Sequence, residues 1–105
     1  MSDFVRVASV SELDDPGRVT LEVDDRMVVL LCVAGQFFCI DDVCTHDGGT
    51  LGDGPLEDHC VVCPRHGAKF DIRSGKALSM PATEAITCHE VKVDNGEIFV
   101  RINDD

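Results

Sequence analysis

At 105 residues the chain can build one hydrophobic core but not a second catalytic domain beside it, so a single domain spanning 1–105 is expected. Twenty acidic against nine basic residues give a formal net charge of −11, which argues against nucleic acid or an anionic membrane as partner and for a basic protein face. Solubility alone is the other use of such an excess. The six cysteines do not announce a secreted disulfide scaffold, because Met1-Ser2-Asp3-Phe4 opens no signal region and no apolar run is long enough to span a bilayer. A cytoplasmic monomer with reduced thiols is expected.

Phe4, Val5 and Val7 with polar neighbours make a first strand, and Ser9 to Asp15 reads as a short irregular or single-turn connection ending at Pro16-Gly17. Val19 to Val23 alternates as a half-buried strand, and Asp24-Asp25 is turn-like. Met27 to Val33 is a continuous apolar run of strand length, which predicts a central strand covered on both sides. Ala34-Gly35-Gln36 turns the chain into Phe37 to Ile40. From Asp47 to Asp58 glycine and aspartate dominate, predicting a covering loop anchored by Leu51 and Leu56. Cys60 to Val62 and Ala68 to Ile72 are short strands, Arg73 to Lys76 a turn, and Ala77 to Glu84 an extended stretch through Met80-Pro81. Ile86 to Val93 and Glu97 to Ile102 flank Asp94-Asn95-Gly96, a strong hairpin signal. With no long helical period, the chain is expected to be all-β, with roughly nine or ten short strands and a small lobe formed by two loops.

Those two loops carry the chemistry. Cys44-Thr45-His46 and Cys63-Pro64-Arg65-His66, separated by sixteen residues, supply two thiolates and two imidazoles as two mixed pairs. Gly48, Gly49 and Gly67 stand where tight loops around a buried anion need residues without side chains. A structural zinc and a [2Fe–2S] centre both take such donors. Zinc sites usually draw on pairs of like ligands, whereas a mixed pair lets each loop reach both irons, so the spacing favours iron.

The segment resembles the Rieske signature, Cys-x-His followed by Cys-x2-His, with Pro64 and Gly67 in their usual places. Leu51, Gly54, Phe70-Asp71 and Ser74-Gly75 extend the similarity to Rieske ferredoxins over nearly the whole chain. The resemblance implies a Rieske fold, an antiparallel β-sandwich with a cluster-binding lobe. It implies one [2Fe–2S] cluster per chain held by Cys44, His46, Cys63 and His66, and a proline loop at Pro81 shielding the cluster's third side; a plain connection is the other reading of that stretch. Gly49 and Arg65 stand where respiratory relatives carry a disulfide, and Ala68 and Phe70 where high-potential relatives carry hydroxyl donors. The resemblance therefore implies a low-potential carrier rather than an enzyme, passing single electrons from a flavin-dependent ferredoxin reductase to a terminal non-haem iron oxygenase. A nitrite-reductase-like or iron–sulfur-assembly subunit is the alternative within electron transfer, and a zinc-stabilised interaction module the alternative outside it.

The other cysteines read as packing. Cys32, Cys39 and Cys88 lie in apolar strand-like runs as small buried hydrophobes. Cys60 forms Cys-x2-Cys with Cys63, but residues three apart on a strand face opposite ways, so core packing is expected for it too. His59 and His89 have no partner at ligand spacing and are expected to be packed or surface-edge histidines rather than further ligands. Asp47, Asp53, Glu57 and Asp58 are candidates for an acidic docking surface.

Overall fold

A computed structural model describes residues 3–44, 49–65, 67–80 and 84–103. Among them, nine strands and one 3-10 turn, Val10–Glu12, make up the regular structure. Six strands form one antiparallel sheet: β1 (Val5–Ser9), β2 (Gly17–Val23), β3 (Arg26–Val33), β4 (Gln36–Asp41), β8 (Cys88–Asp94) and β9 (Glu97–Arg101), in the order β1-β9-β8-β4-β3-β2. A second sheet of three short strands, β5 (Leu56–Glu57), β6 (Cys60–Val62) and β7 (Lys69–Asp71), is inserted between β4 and β8.

Three hairpins share one turn chemistry. Asp24-Asp25, Ala34-Gly35 and Asn95-Gly96 each separate paired strand ends by two residues, and all six have positive φ. That is the backbone whose twist matches the flanking strands. Ala34, with φ 53°, is the residue least suited to it. The Asp15 carboxylate offsets this by accepting from the Ala34 and Gly35 amides at 2.9 and 2.7 Å.

Strand β3 is buried from Val28 to Val33, as its unbroken apolar run predicts, and its two faces serve different cores. Val28 and Leu30 join Ala8, Cys39, Ile98 and Val100, with the β1-β9 and β3-β4 parts of the sheet sandwiching one apolar layer. Val29, Leu31 and Val33 face the other way and join Ile40 beneath the inserted lobe. Fully burying one such side chain contributes about 1.5–3 kcal/mol, so β3 is the wall that fixes the lobe to the sandwich.

Between these parts, β4 and β8 are joined through only two residue pairs, Cys39↔His89 and Ile40↔Cys88. A polar network closes the seam. His89 Nδ1 accepts the Asn103 amide at 3.0 Å, so Nε2 carries the proton and donates to Asp41 Oδ1 at 2.7 Å. Arg26 donates to both oxygens of the same carboxylate, at 3.2 and 3.1 Å. His89 is thus a packed, fully partnered histidine, as expected.

Two expectations need correction. The stretch from Asp47 to Asp58 is not all loop, because Leu56–Glu57 pairs with β6 as an edge strand. Cys60 is only half-buried and belongs to neither core. On β6 it is Val61 that points inward, at 1% exposure, while Cys60 lies opposite Glu57 and Asp71. Burial pushes its thiol above the ordinary range, and the Asp71 carboxylate adds to the effect. Cys32 and Cys39 are buried as expected, and Cys88 packs, half-buried, against the lobe core.

Candidate metal centre

Each cysteine of the two mixed pairs opens a loop of the same construction. The Cys44 amide donates to the Gly49 carbonyl, and the Cys63 amide donates to the Ala68 carbonyl, both at 2.7 Å and both five residues on. The second loop is tightened by Gly67, whose amide donates to the Cys63 carbonyl at 3.0 Å with φ of +76°, a conformation that favours glycine. His46 falls inside the first loop and His66 inside the second. Both lie outside the described residues, as do Asp47, Gly48 and Pro81.

The described half of the donor set is brought together. Cys44 and Cys63, at 0 and 1% exposure, belong to one buried cluster with Leu51, Ala68 and Phe70, resting on the Val29-Leu31-Val33 face of β3. Thiols in such surroundings stay protonated unless a cation accompanies the thiolate, because a bare charge there lacks solvation. Two convergent loops presenting buried sulfur donors therefore fit an iron–sulfur group, whose ferric ions supply that charge.

Several residues other than the Cys and His pairs brace these loops. Asp42, two residues before Cys44, accepts the Leu51 and Gly52 amides on one oxygen, at 2.8 and 2.7 Å. The far arm of the first loop is thereby bound to its entrance. Gly54 is buried where a Cβ would lie inside van der Waals contact with the Val62 carbonyl oxygen and 3.2 Å from Pro64 Cδ, so this glycine is required by close approach. Its carbonyl accepts from the Arg18 guanidinium of β2. Arg65 donates through Nη2 to the Thr50 carbonyl at 3.0 Å. An aspartate followed by a glycine-rich run hints at the Asp42 clamp; nothing local points to Arg18.

The segment after β7 folds back along that strand. Leu78 donates its amide to the Lys69 carbonyl at 2.7 Å, Ala77 bridges to Phe70, and Ser79 Oγ accepts the Lys69 amide at 3.1 Å. This carries the chain back along β7, leaving Met80 75% exposed. Beneath the turn, Gly75 has φ of +80° and its carbonyl accepts the Ile86 amide at 2.8 Å.

Charge around the lobe is partly cancelled. Glu57 is paired with Lys69 at 3.0 Å, which removes it as an unneutralised docking charge. Asp71 is held below the ordinary carboxylate range, first by the side-chain hydrogen bond from Arg73. Asp53 and Asp58 are exposed. Elsewhere Arg6, Arg26 and Arg101 are matched with Glu97, Asp41 and Glu90, so the acidic excess is carried by the remaining carboxylates.

Comparison with known proteins gives concordant results. The family model described as the Rieske [2Fe-2S] domain matches residues 3–92. The 3-phenylpropionate/cinnamic acid dioxygenase ferredoxin subunit of Escherichia coli K12 is 38% identical over 97 residues, covering 90% of this chain and 92% of that protein. The corresponding subunit of Photorhabdus laumondii is 37% identical over 100 residues, covering 94% of each. Among solved structures, the ferredoxin of carbazole 1,9a-dioxygenase from Nocardioides aromaticivorans superposes with a TM-score of 0.89 at 27% identity, covering 92% of this chain and 95% of that one. A ferredoxin of Sphingomonas yanoikuyae B1 superposes at 0.88 with 26% identity, over 96% and 100% of the two chains. Among the described residues no helix is long and apolar enough to cross a membrane.

Proposed function

Because this chain belongs to the Rieske [2Fe-2S] domain family, we propose that it is the ferredoxin of an aromatic-ring dioxygenase system, carrying single electrons in the cytoplasm from a flavin-containing reductase to a terminal non-haem iron oxygenase. The chain carries one [2Fe–2S] cluster. We assign its ligands as the thiolates of Cys44 and Cys63 and the imidazoles of His46 and His66. When bound, this group supplies a one-electron couple whose neutral imidazoles make reduction easier than in an all-thiolate centre.

The protein's own part is enclosure and presentation. The apolar cluster under Cys44 and Cys63 excludes water from the sulfur side, and the two loops hold the donors in place through the bonds from Cys44 to Gly49 and Cys63 to Ala68. The observation that carries the reading is the ferredoxin likeness, which spans 90% of this chain and 92% of its relative. Catalysis then resides on the partner. A reductase and an oxygenase with basic docking faces suit the acidic surface, with Asp53 and Asp58 as the described contributors and Asp47 as a third candidate.

Stopped-flow mixing of the cluster-loaded protein with a ring-hydroxylating-dioxygenase reductase tests this. Bleaching of the oxidised visible spectrum is expected, with a bimolecular rate that falls as salt rises past about 0.1 M, where the screening length is about 10 Å. Absence of reduction by the flavoprotein would remove the assignment to such a system. A salt-independent rate would remove the acidic docking surface alone.

A further inference from the structure

An arginine of the second cysteine loop reaches the first. Arg65 lies two residues after Cys63, in the second loop, with its side chain exposed to solvent. Its Nη2 donates to the Thr50 carbonyl at 3.0 Å, and its guanidinium covers Gly49 so closely that a Cβ there would lie 2.5 Å from Nη2 and 2.8 Å from Nε. Gly49 is the residue whose carbonyl closes the first loop onto the Cys44 amide. The head of a side chain from the Cys63 loop therefore rests on the closing residue of the Cys44 loop.

We propose that Arg65 is a positioning residue, latching the second cysteine loop to the first across Gly49 and Thr50 and so holding the two thiol-bearing loops in register for the cluster. A planar guanidinium can do this because it lies flat against a residue with no side chain while directing an N–H at the neighbouring carbonyl. It also explains glycine at position 49. Gly49 is not among the glycines of positive φ, so what it provides is room rather than an unusual backbone. The three nearest atoms an alanine Cβ would meet there all belong to the Arg65 guanidinium, the far end of a flexible side chain, so Gly49→Ala is expected to displace the arginine rather than break the loop. The inference rests on the assignment of Cys44 and Cys63 as ligands.

The test uses cluster-loaded protein and two readouts, the rate at which a chelator bleaches the cluster and its visible circular dichroism, which reports the surroundings of the iron. The proteins are wild type, Gly49→Ala, Arg65→Met, Arg65→Lys and the double variant Gly49→Ala/Arg65→Met. Each of Gly49→Ala and Arg65→Met is expected to speed bleaching roughly tenfold, equivalent to about 1.4 kcal/mol, and to change the dichroism in the same way. The double variant is expected to match the singles, since each already takes the guanidinium off Gly49 and Thr50. Arg65→Lys, which keeps the charge and a donor for Thr50 but not the plane over Gly49, recovers part of the loss.

Multiplied effects in the double variant, or a Gly49→Ala protein identical to wild type, would overturn the latch. So would variants whose unfolding midpoint falls while the dichroism stays unchanged, because that is the mark of a general stability effect. Failure of the wild type itself to take up iron and sulfide would instead refute the ligand assignment, and is recognised before any variant is compared.

Discussion

Ala68 and Phe70 offer the most direct control over reduction potential. Both are fully buried in the cluster of side chains that contains Cys44 and Cys63, and the Ala68 carbonyl is the acceptor for the Cys63 amide. Neither side chain can donate a hydrogen bond. A hydroxyl at either place would bond more strongly to sulfur after the electron arrives, and no water reaches these positions to compete. Taking a differential of about 1 kcal/mol per bond, roughly the gap between a hydrogen bond to a neutral group and one to a charged group, and about 59 mV for each tenfold or 1.4 kcal/mol, each hydroxyl is worth about 40 mV. The wild type is expected near −150 mV, toward the bottom of the Rieske range, and Ala68→Ser with Phe70→Tyr about 40 to 80 mV higher. Protein-film voltammetry measures both. Thermal unfolding provides the internal check, since a tyrosine hydroxyl that finds no acceptor in this core costs about 1–3 kcal/mol of stability. A potential that does not move, together with a lowered unfolding midpoint, would mean that the hydroxyls point away from the sulfurs and would refute the reasoning. A wild-type potential well above zero would refute it from the other side, by showing that backbone donors already supply what these side chains lack.

Cys44→Ser and Cys63→Ser are expected to abolish the visible spectrum and the bound iron and sulfide, whereas Cys60→Ser, half-buried and outside both cores, is expected to retain them; metal and sulfide analysis of the three proteins decides. Gly54→Ala sets a Cβ against the Val62 carbonyl in a buried position, an overpacking worth about 1–3 kcal/mol, and calorimetry should show the unfolding midpoint lowered by roughly 5 to 20 °C; an unchanged midpoint would show that the loop moves aside freely. Burial pushes the Cys39 thiol from the usual 9.0 up to about 12, with the Asp41 carboxylate adding to it. The folded state thus favours the protonated thiol, a contribution fully present below pH 9.0 and lost as pH rises toward about 12. Urea unfolding across that window is expected to show an alkaline decline that Cys39→Val makes shallower, and an identical slope in the variant would count against it.

The family and the all-β architecture were legible in the residues because both rest on local chemistry. A cysteine and a histidine two or three positions apart, with glycine beside them, carry the family's signature in a few adjacent residues. Asn95-Gly96 similarly announces its turn through a backbone conformation few other residues accept. Cys60 was misjudged because alternation on a three-residue strand does not say which face is inward; pairing with β5 on one side and β7 on the other settles it. Leu56–Glu57 escaped notice for a related reason, since two residues carry no period and become a strand only when β6 lies alongside.

By itself, the sequence determined the turn positions, the two-faced burial of β3 and the presence of two cysteine loops, each of which depends on neighbours a few residues away. Tertiary structure alone decided what braces those loops and what closes the seam between β4 and β8. Arg18 reaches Gly54 across 36 positions, Arg65 reaches Thr50 across 15, and His89 meets Asp41 across 48. Such pairs leave no periodic trace, because arginine, histidine and aspartate are as common on open surfaces as in satisfied networks. Packing of the lobe against the outer face of β3 brings the two arginines to their carbonyls, and pairing of β4 with β8 brings His89 to Asp41.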